Sequence, residues 1–312
     1  MIDQVKAAFI GAAIGDALGV PVEFMSRAAL SRNPVTDYRG YGVWHQPPGT
    51  FSDDSSLLFC TAESLCTGYD VADIANRFVR WYQQGYWGAH DEVFDIGGAT
   101  RTALTRVING TSPTLSGGLL EQDNGNGSLM RILPVAFYLC NEPSMQTRFD
   151  TVRALSAITH GHFRSVMACF VYVELAIQLL TDPDIPAAYA RMQTRVNDFI
   201  AENAFSPTEI RLFDRILQAD LSHLDEPAIR SSGYVMDTLE SSLWCLLTTR
   251  SFEEAVLKAV NLGDDTDTTG TVTGGLAGLA YGYEAIPTHW VYSLAKQEAI
   301  EKLAERFAGR YA

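Results

Sequence analysis

Alternating apolar–polar runs of the kind that build half-buried strands are nearly absent from the 312-residue chain, which excludes a β-rich fold. Basic charge is also scarce. Lys and Arg number 23 against 37 Asp and Glu, a net charge of −14, and this excludes a surface that wraps nucleic acid. The five cysteines (60, 66, 140, 169 and 245) are odd in number, include no CxxC pair and sit in apolar contexts. They predict reduced core thiols and a cytoplasmic protein, not a disulfide framework. The N-terminal stretch is apolar, yet it carries Asp3 and Asp16 and has no basic leader region. No other uncharged run has membrane character, so a soluble, non-exported chain is expected. Low-complexity tracts, fixed-period repeats, polar linkers and sustained heptads are missing too, which predicts a single domain over 1–312 and a monomer.

Helical periodicity is what remains. Apolar residues recur at three- and four-residue spacing over 71–81, 164–181, 186–202, 206–218, 251–260 and 291–308. Segment 164–181 is apolar almost all round and predicts a central helix. The composition is that of an all-α protein of a dozen or so helices, ample in length to bury a core without staples.

Three segments do not fit a plain bundle. Ser52-Asp53-Asp54 precedes one apolar helix, and Asp264-Asp265-Thr266-Asp267-Thr268 precedes a second, Gly/Ala-rich one. N-capping explains one Asp at each place. Adjacent carboxylates repel, so the clusters together also suit hard divalent cations, Mg²⁺, Mn²⁺ or Ca²⁺, rather than zinc. Glu23, after Pro21, is expected on a turn as a further candidate carboxylate. The glycines of 270–282 predict close approach of a neighbouring helix. The third segment, Asn124-Gly125-Asn126-Gly127-Ser128, reads either as a tight turn with a Ser cap or as a phosphate cradle before a helix. Asp95 is expected at a helix N-cap. His160 and His162 lie before the central helix without the further ligands a zinc site needs.

Taken in order, GDALGVPVE (15–23), FSDDSSL (51–57), FDIGGATRTAL (94–104), NGNGSLMRILP (124–134), TH (159–160) and GDDTDTTGTVTGGLAG (263–278) give a chain that resembles the ADP-ribosylglycohydrolase family. The resemblance implies a single compact, orthogonal all-α domain with a central cleft holding two Mg²⁺ (or Mn²⁺) ions. Carried over residue by residue, it implies Ser52, Asp53, Asp54, Asp265, Asp267 and Thr268 as metal ligands. It implies Asn126, Gly127, Ser128, Leu129, Met130 and His160 as substrate-binding residues. Among the acids, Glu23, Asp54, Asp95 and Asp265 are the catalytic candidates, with Glu23 or Asp95 relaying a proton. One departure stands out, Asp264 in place of the family's usual glycine.

The implied partner is an ADP-ribosylated protein or an ADP-ribose conjugate, not nucleic acid or a membrane. The implied reaction is hydrolysis of the ADP-ribosyl linkage, with the N-glycosidic bond to arginine as the first expectation. Serine-linked and small-molecule conjugates are alternatives. So are a non-catalytic ADP-ribose-binding or immunity module and a two-metal phosphohydrolase releasing AMP.

Overall fold

The apolar N-terminal stretch forms a helix that is buried on every side, because a second helix of small residues lies directly against it. The computed structural model describes residues 1–311. Its α-helices run α1 Ile2–Gly19, α2 Arg27–Arg32, α3 Asp53–Leu65, α4 Val71–Gln84, α5 Gly98–Ile108, α6 Pro134–Leu139, α7 Met145–Ser156 and α8 Phe163–Thr181. They continue with α9 Ile185–Ala201, α10 Pro207–Ile210, α11 Asp214–Leu217, α12 Val235–Leu247, α13 Phe252–Asn261, α14 Thr266–Tyr281, α15 Thr288–Ser293 and α16 Gln297–Tyr311. Among the described residues there are no strands, only the isolated bridges Gly118–His160 and Gly125–Tyr234. The fold is all-α. One main core draws on residues from Val5 to Ala308.

The seam between α1 and α14 organises the site. A Cβ built on Gly270 would lie 2.3 Å from the Gly15 carbonyl oxygen, and one on Gly274 2.1 Å from that of Gly11. The two helices run antiparallel with their backbones in contact, which only glycine allows. At the end of the seam, the Thr266 hydroxyl donates to the Gly19 carbonyl at 2.8 Å. The C-terminus of α1 and the N-terminus of α14 are thereby joined, as the glycine run predicts.

The central helix α8 is buried over most of its length. Both α8 and the stretch Ile2–Val22 are long and apolar enough to cross a membrane, but here 83% and 94% of those windows are buried inside the protein. Helix α8 carries Arg164 and Glu174, so it is not an uncharged run, and it spends its apolar composition on the core. A buried ion pair ties α8 to α7, with Arg148 Nη1 donating to Glu174 Oε2 at 2.9 Å.

Two expected helices are broken. Segment 206–218 folds as α10, a 3-10 turn at Arg211–Phe213 and α11, a tightening that brings Phe213, Ile216 and Leu217 into the core. Segment 291–308 is interrupted at Leu294–Lys296. There the Ala295 N–H donates to the Gly49 carbonyl at 2.9 Å and Lys296 turns left-handed (φ 55°).

Candidate functional site

The α1–α14 junction delivers the first group of acids. After Gly19 the chain makes a short 3-10 turn, Val20–Val22, and Glu23 follows it, on the turn that Pro21 predicts. Glu23, Asp265 and Asp267 each offer an oxygen within 4.8 Å of the others. Asp265 stands at the N-cap position of α14 yet makes no side-chain cap bond. Its Oδ2 instead accepts from Asn126 Nδ2 at 2.9 Å.

The start of α3 delivers the second group. Ser52 caps it by accepting from the Asp54 N–H at 3.3 Å, so capping accounts for the serine and not for the aspartates. Buried Asp16, on α1, accepts from the Ser52 and Ser55 N–H groups at 2.9 and 3.0 Å and from the Ser55 hydroxyl at 2.6 Å. This grip fixes the helix start against α1. Asp53 and Asp54 are buried, and the Thr268 hydroxyl reaches Asp54 Oδ1 at 3.5 Å, linking the two acidic segments.

Both groups border one cavity of about 290 Å³. Glu23, Asp53, Asp54, Asp95 and Asp265 line it, and no Lys or Arg does. Burial and mutual repulsion push the Asp53, Asp54 and Asp267 carboxyls well above the usual carboxylate range. Burial, with Asp95 nearby, pushes Glu23 up to about 9, while Asp95 rises to about 6 through burial and the charge of Asp265. Three buried oxygens, Asp54 Oδ2, Asp265 Oδ1 and Asp267 Oδ2, have no hydrogen-bond partner. Orphaned carboxylate oxygens are costly to bury. An all-oxygen set of this kind fits a hard divalent cation, which would both partner these oxygens and offset the repulsion.

Asp95 is not an N-cap. Gly97 occupies that position on α5, and Asp95 lies two residues earlier with a left-handed backbone (φ 45°). The turn places its carboxyl beside Glu23 and Asp267, whose own carboxyls its charge pushes up.

The glycine loop also departs from expectation. No helix follows Ser128; residues 129–133 form turns and α6 begins only at Pro134. Asn126, Gly127 and Met130 line the cavity. Ser128 and Leu129 do not: both are fully buried, with Ser128 Oγ 3.4 Å from Cys169 Sγ and accepting from the Ser156 hydroxyl at 2.9 Å. They support the loop from behind. Ser52 and Asp267 likewise stand behind the cavity wall. His160 lines the cavity, whereas His162 caps α8 by accepting from the Arg164 N–H at 3.3 Å, so the two histidines part company.

Sequence reasoning missed Phe24, Thr100, Gln122 and Gly233, all of which line the cavity. It also missed Trp44, whose indole N–H donates to Glu23 Oε2. Trp44 packs between Phe24, edge-on at a centroid distance of 6.4 Å, and Phe94, tilted at 5.9 Å. Phe24 is next to Glu23 in sequence, which was the only signal available; nothing local marks Trp44.

This combination of fold and acidic cavity has counterparts. The family model described as ADP-ribosylglycohydrolase matches residues 1–312. The chain belongs to the ADP-ribosylglycohydrolase family. It is 34% identical over 310 residues to a Serratia proteamaculans protein named ADP-ribosylarginine hydrolase Tri1, covering 98% of this chain and 79% of the relative. It is 29% identical over 296 residues to the ADP-ribosyl-[dinitrogen reductase] glycohydrolase of Rhodospirillum rubrum, covering 94% and 90%. A solved structure titled ADP-ribosylglycohydrolase-related protein complex superposes with a TM-score of 0.83 at 32% identity, covering 100% of this chain and 99% of that one. The chain is thus an enzyme of the class that hydrolyses ADP-ribosyl linkages.

Proposed function

We propose that the chain is a metal-dependent hydrolase that removes ADP-ribose from modified protein side chains, with the arginine N-glycosidic bond as its preferred target. The observation that carries the metal dependence is the trio of orphaned oxygens, on Asp54 and Asp265 at the cavity wall and on Asp267 behind it, grouped with Glu23 and Asp265. Asp53 and Thr268, beside them, complete a set of hard oxygen donors for two Mg²⁺ or Mn²⁺ ions. When bound, such ions supply Lewis-acid charge to the ribose hydroxyls and to the attacking water.

The protein's own residues do the rest. Asn126 orients Asp265 through its amide. Glu23 and Asp95 share a proton, and Trp44 steadies Glu23. This pair delivers its proton to the departing guanidine nitrogen as the ribose C1″–N bond breaks, and takes up the proton that the attacking water gives up as the C1″–O bond forms. The products are ADP-ribose and unmodified arginine.

Preference for arginine is supported by the lining carboxylates, which meet no lining Lys or Arg, and by the exposed Phe24 ring at the cavity edge, both suited to a planar cation. Two relatives at 34% and 33% identity carry the name ADP-ribosylarginine hydrolase. A Danio rerio relative at 24% identity carries the broader name ADP-ribosylhydrolase ARH3, and serine-linked ADP-ribose is the comparison substrate. Five unpaired cysteines support a reducing, cytoplasmic setting.

The test is to incubate the protein with arginine-ADP-ribosylated and serine-ADP-ribosylated protein, in Mg²⁺, Mn²⁺ or chelator, and quantify intact ADP-ribose. Metal-dependent release from the arginine-linked substrate is expected. Release only from the serine-linked substrate would overturn the linkage, release unaffected by chelator the metal dependence, and AMP as product the reaction.

A further inference from the structure

Arg131 is the largest fully buried charged side chain among the described residues, and no hydrogen bond or ion pair joins it to a carboxylate. Its exposure is 0%, its Nε and Nη1 have no hydrogen-bond partner, and its guanidinium lies over the Phe78 ring at 4.6 Å. Its one hydrogen-bonded nitrogen, Nη2, donates to the Leu155 carbonyl at 3.1 Å and to the Thr159 hydroxyl at 2.8 Å. Thr159 Oγ1 in turn lies 2.9 Å from His160 Nδ1. Both Thr159 and His160 are buried.

Counting protons along this chain fixes its direction. A guanidinium only donates, so Thr159 Oγ1 accepts from Arg131. The threonine has one hydrogen of its own. Among the described residues the only acceptor within reach is His160 Nδ1. Were Nδ1 protonated, a buried hydroxyl hydrogen would be left unpaired, which the desolvation of that group makes unfavourable. Nδ1 therefore accepts, and the ring hydrogen sits on Nε2.

Nε2 faces the cavity across the glycine loop. A Cβ on Gly127 would come 2.7 Å from His160 Cε1, and one on Gly125 3.3 Å from Nε2. The loop glycines thus make room for the ring, and no protein acceptor among the described residues meets Nε2.

We propose that Arg131 and Thr159 are positioning residues that lock His160 in its Nε2–H tautomer, making it a fixed hydrogen-bond donor to an anionic oxygen of the bound ligand. The identity of that ligand, ADP-ribose, rests on the function proposed above; the tautomer does not. Burial and the charge of Arg131 also hold the imidazolium pKa down, to about 3, so the ring is neutral at physiological pH. Arg131 places an unpaired positive charge behind the donor, opposite the acidic wall of the cavity. The cleft is bipolar in consequence, and the anionic part of a ligand belongs at the His160 end.

The test is a long-range ¹H–¹⁵N correlation spectrum of the ¹⁵N-histidine-labelled protein, with His160→Asn used to assign the ring signals. ADP-ribose affinity is measured by calorimetry on the same proteins. Expected are an unprotonated Nδ1 and a protonated Nε2 for His160, retained in Thr159→Ser and lost or mixed in Thr159→Val. Thr159→Val should bind ADP-ribose about tenfold more weakly, the loss of one hydrogen bond to a charged group, with Thr159→Ser within about twofold of wild type. A protonated Nδ1 in the wild type, or a Thr159→Val protein with unchanged spectrum and affinity, would overturn the proposal. A wild-type protein that shows the Nε2–H signal but does not bind ADP-ribose would refute the ligand and, with it, the proposed function. Should Thr159→Val not fold, the wild-type and Thr159→Ser spectra still decide the tautomer.

Discussion

Phe24 and Asp264 hold one another in place while both are left-handed, at φ 62° and 59°. The Phe24 N–H donates to the Asp264 carbonyl at 2.7 Å, and the Asp264 N–H donates to the neighbouring Met25 carbonyl at 2.8 Å. This pair of main-chain hydrogen bonds sets Glu23 beside Asp265. Asp264 contributes only its backbone, because its side chain is exposed. Asp264→Gly should therefore retain turnover within about twofold and keep or raise the melting temperature, since glycine adopts this conformation without strain. Asp264→Val should cost about 1–2 kcal/mol in a urea titration and reduce activity with it.

The orphaned oxygens give an unusual stability signature. Asp54→Asn and Asp267→Asn should each abolish metal-dependent release of ADP-ribose. In chelator at pH 8, however, both variants should melt at a higher temperature than wild type, because a buried, repelled charge has been neutralised. Added Mn²⁺ should raise the wild-type melting temperature and leave the variants nearly unmoved. Equal metal-induced shifts in wild type and variants would remove these residues from the ligand set.

The same acids set a pH dependence. Their folded-state pKa values are raised, so the folded protein binds more protons than the unfolded chain and stability falls as pH rises. The contribution is fully present below the ordinary carboxylate range. It is lost in steps through about 6 for Asp95 and about 9 for Glu23. Thermal melts in chelator from pH 5 to about pH 9.5 should fall across that window, and metal should flatten the curve. A melting temperature that climbs with pH in chelator would contradict the raised values.

Phe24 offers a test of leaving-group preference. Phe24→Ala should raise KM for arginine-linked substrates about threefold, the size of one exposed cation–π contact, and leave serine-linked substrates unchanged. Equal effects on both linkages would assign Phe24 to the ADP-ribose moiety instead.

Backbone contact along the α1–α14 seam leaves no room for a methyl group. Gly270→Ala should cost about 3 kcal/mol in chemical unfolding, since its Cβ would meet a carbonyl oxygen and not a movable side chain. Gly309→Ala, in α16 with open space around it, should be neutral or stabilising by up to ~1 kcal/mol.

Much of this was legible in the sequence because periodicity and repulsion are local. Helices α4, α8, α9 and α13 follow from spacing alone, and adjacent aspartates announce a shared purpose without any structure. The glycine-rich run of α14 announces a close neighbour, though not that the neighbour is α1. What local pattern does not encode is which way a loop faces. Ser128 and Leu129 follow Asn126 and Gly127 directly, yet the chain turns between them, so that one pair meets the cavity and the other the core. Asp95 was misplaced because a left-handed aspartate two residues before a glycine N-cap looks the same in sequence as a capping aspartate. Trp44 reaches Glu23 across a loop, a contact that no spacing reports. In sequence Arg131 falls in the apolar stretch after the glycine loop, where a helix is expected, and only its burial shows that no acid accompanies it.

The glycine seam also has a consequence for how the enzyme is made. Its two halves come from near opposite ends of the chain, so the apolar first helix emerges from the ribosome long before α14 exists to cover it. Throughout synthesis that helix is an exposed segment of membrane-like composition, the kind of surface that chaperones hold and that aggregates when left alone. The acids at the α1–α14 end of the seam come together only when this long-range closure is complete. A partly synthesised chain therefore carries no site, and the acidic cavity is assembled in a single late step of folding.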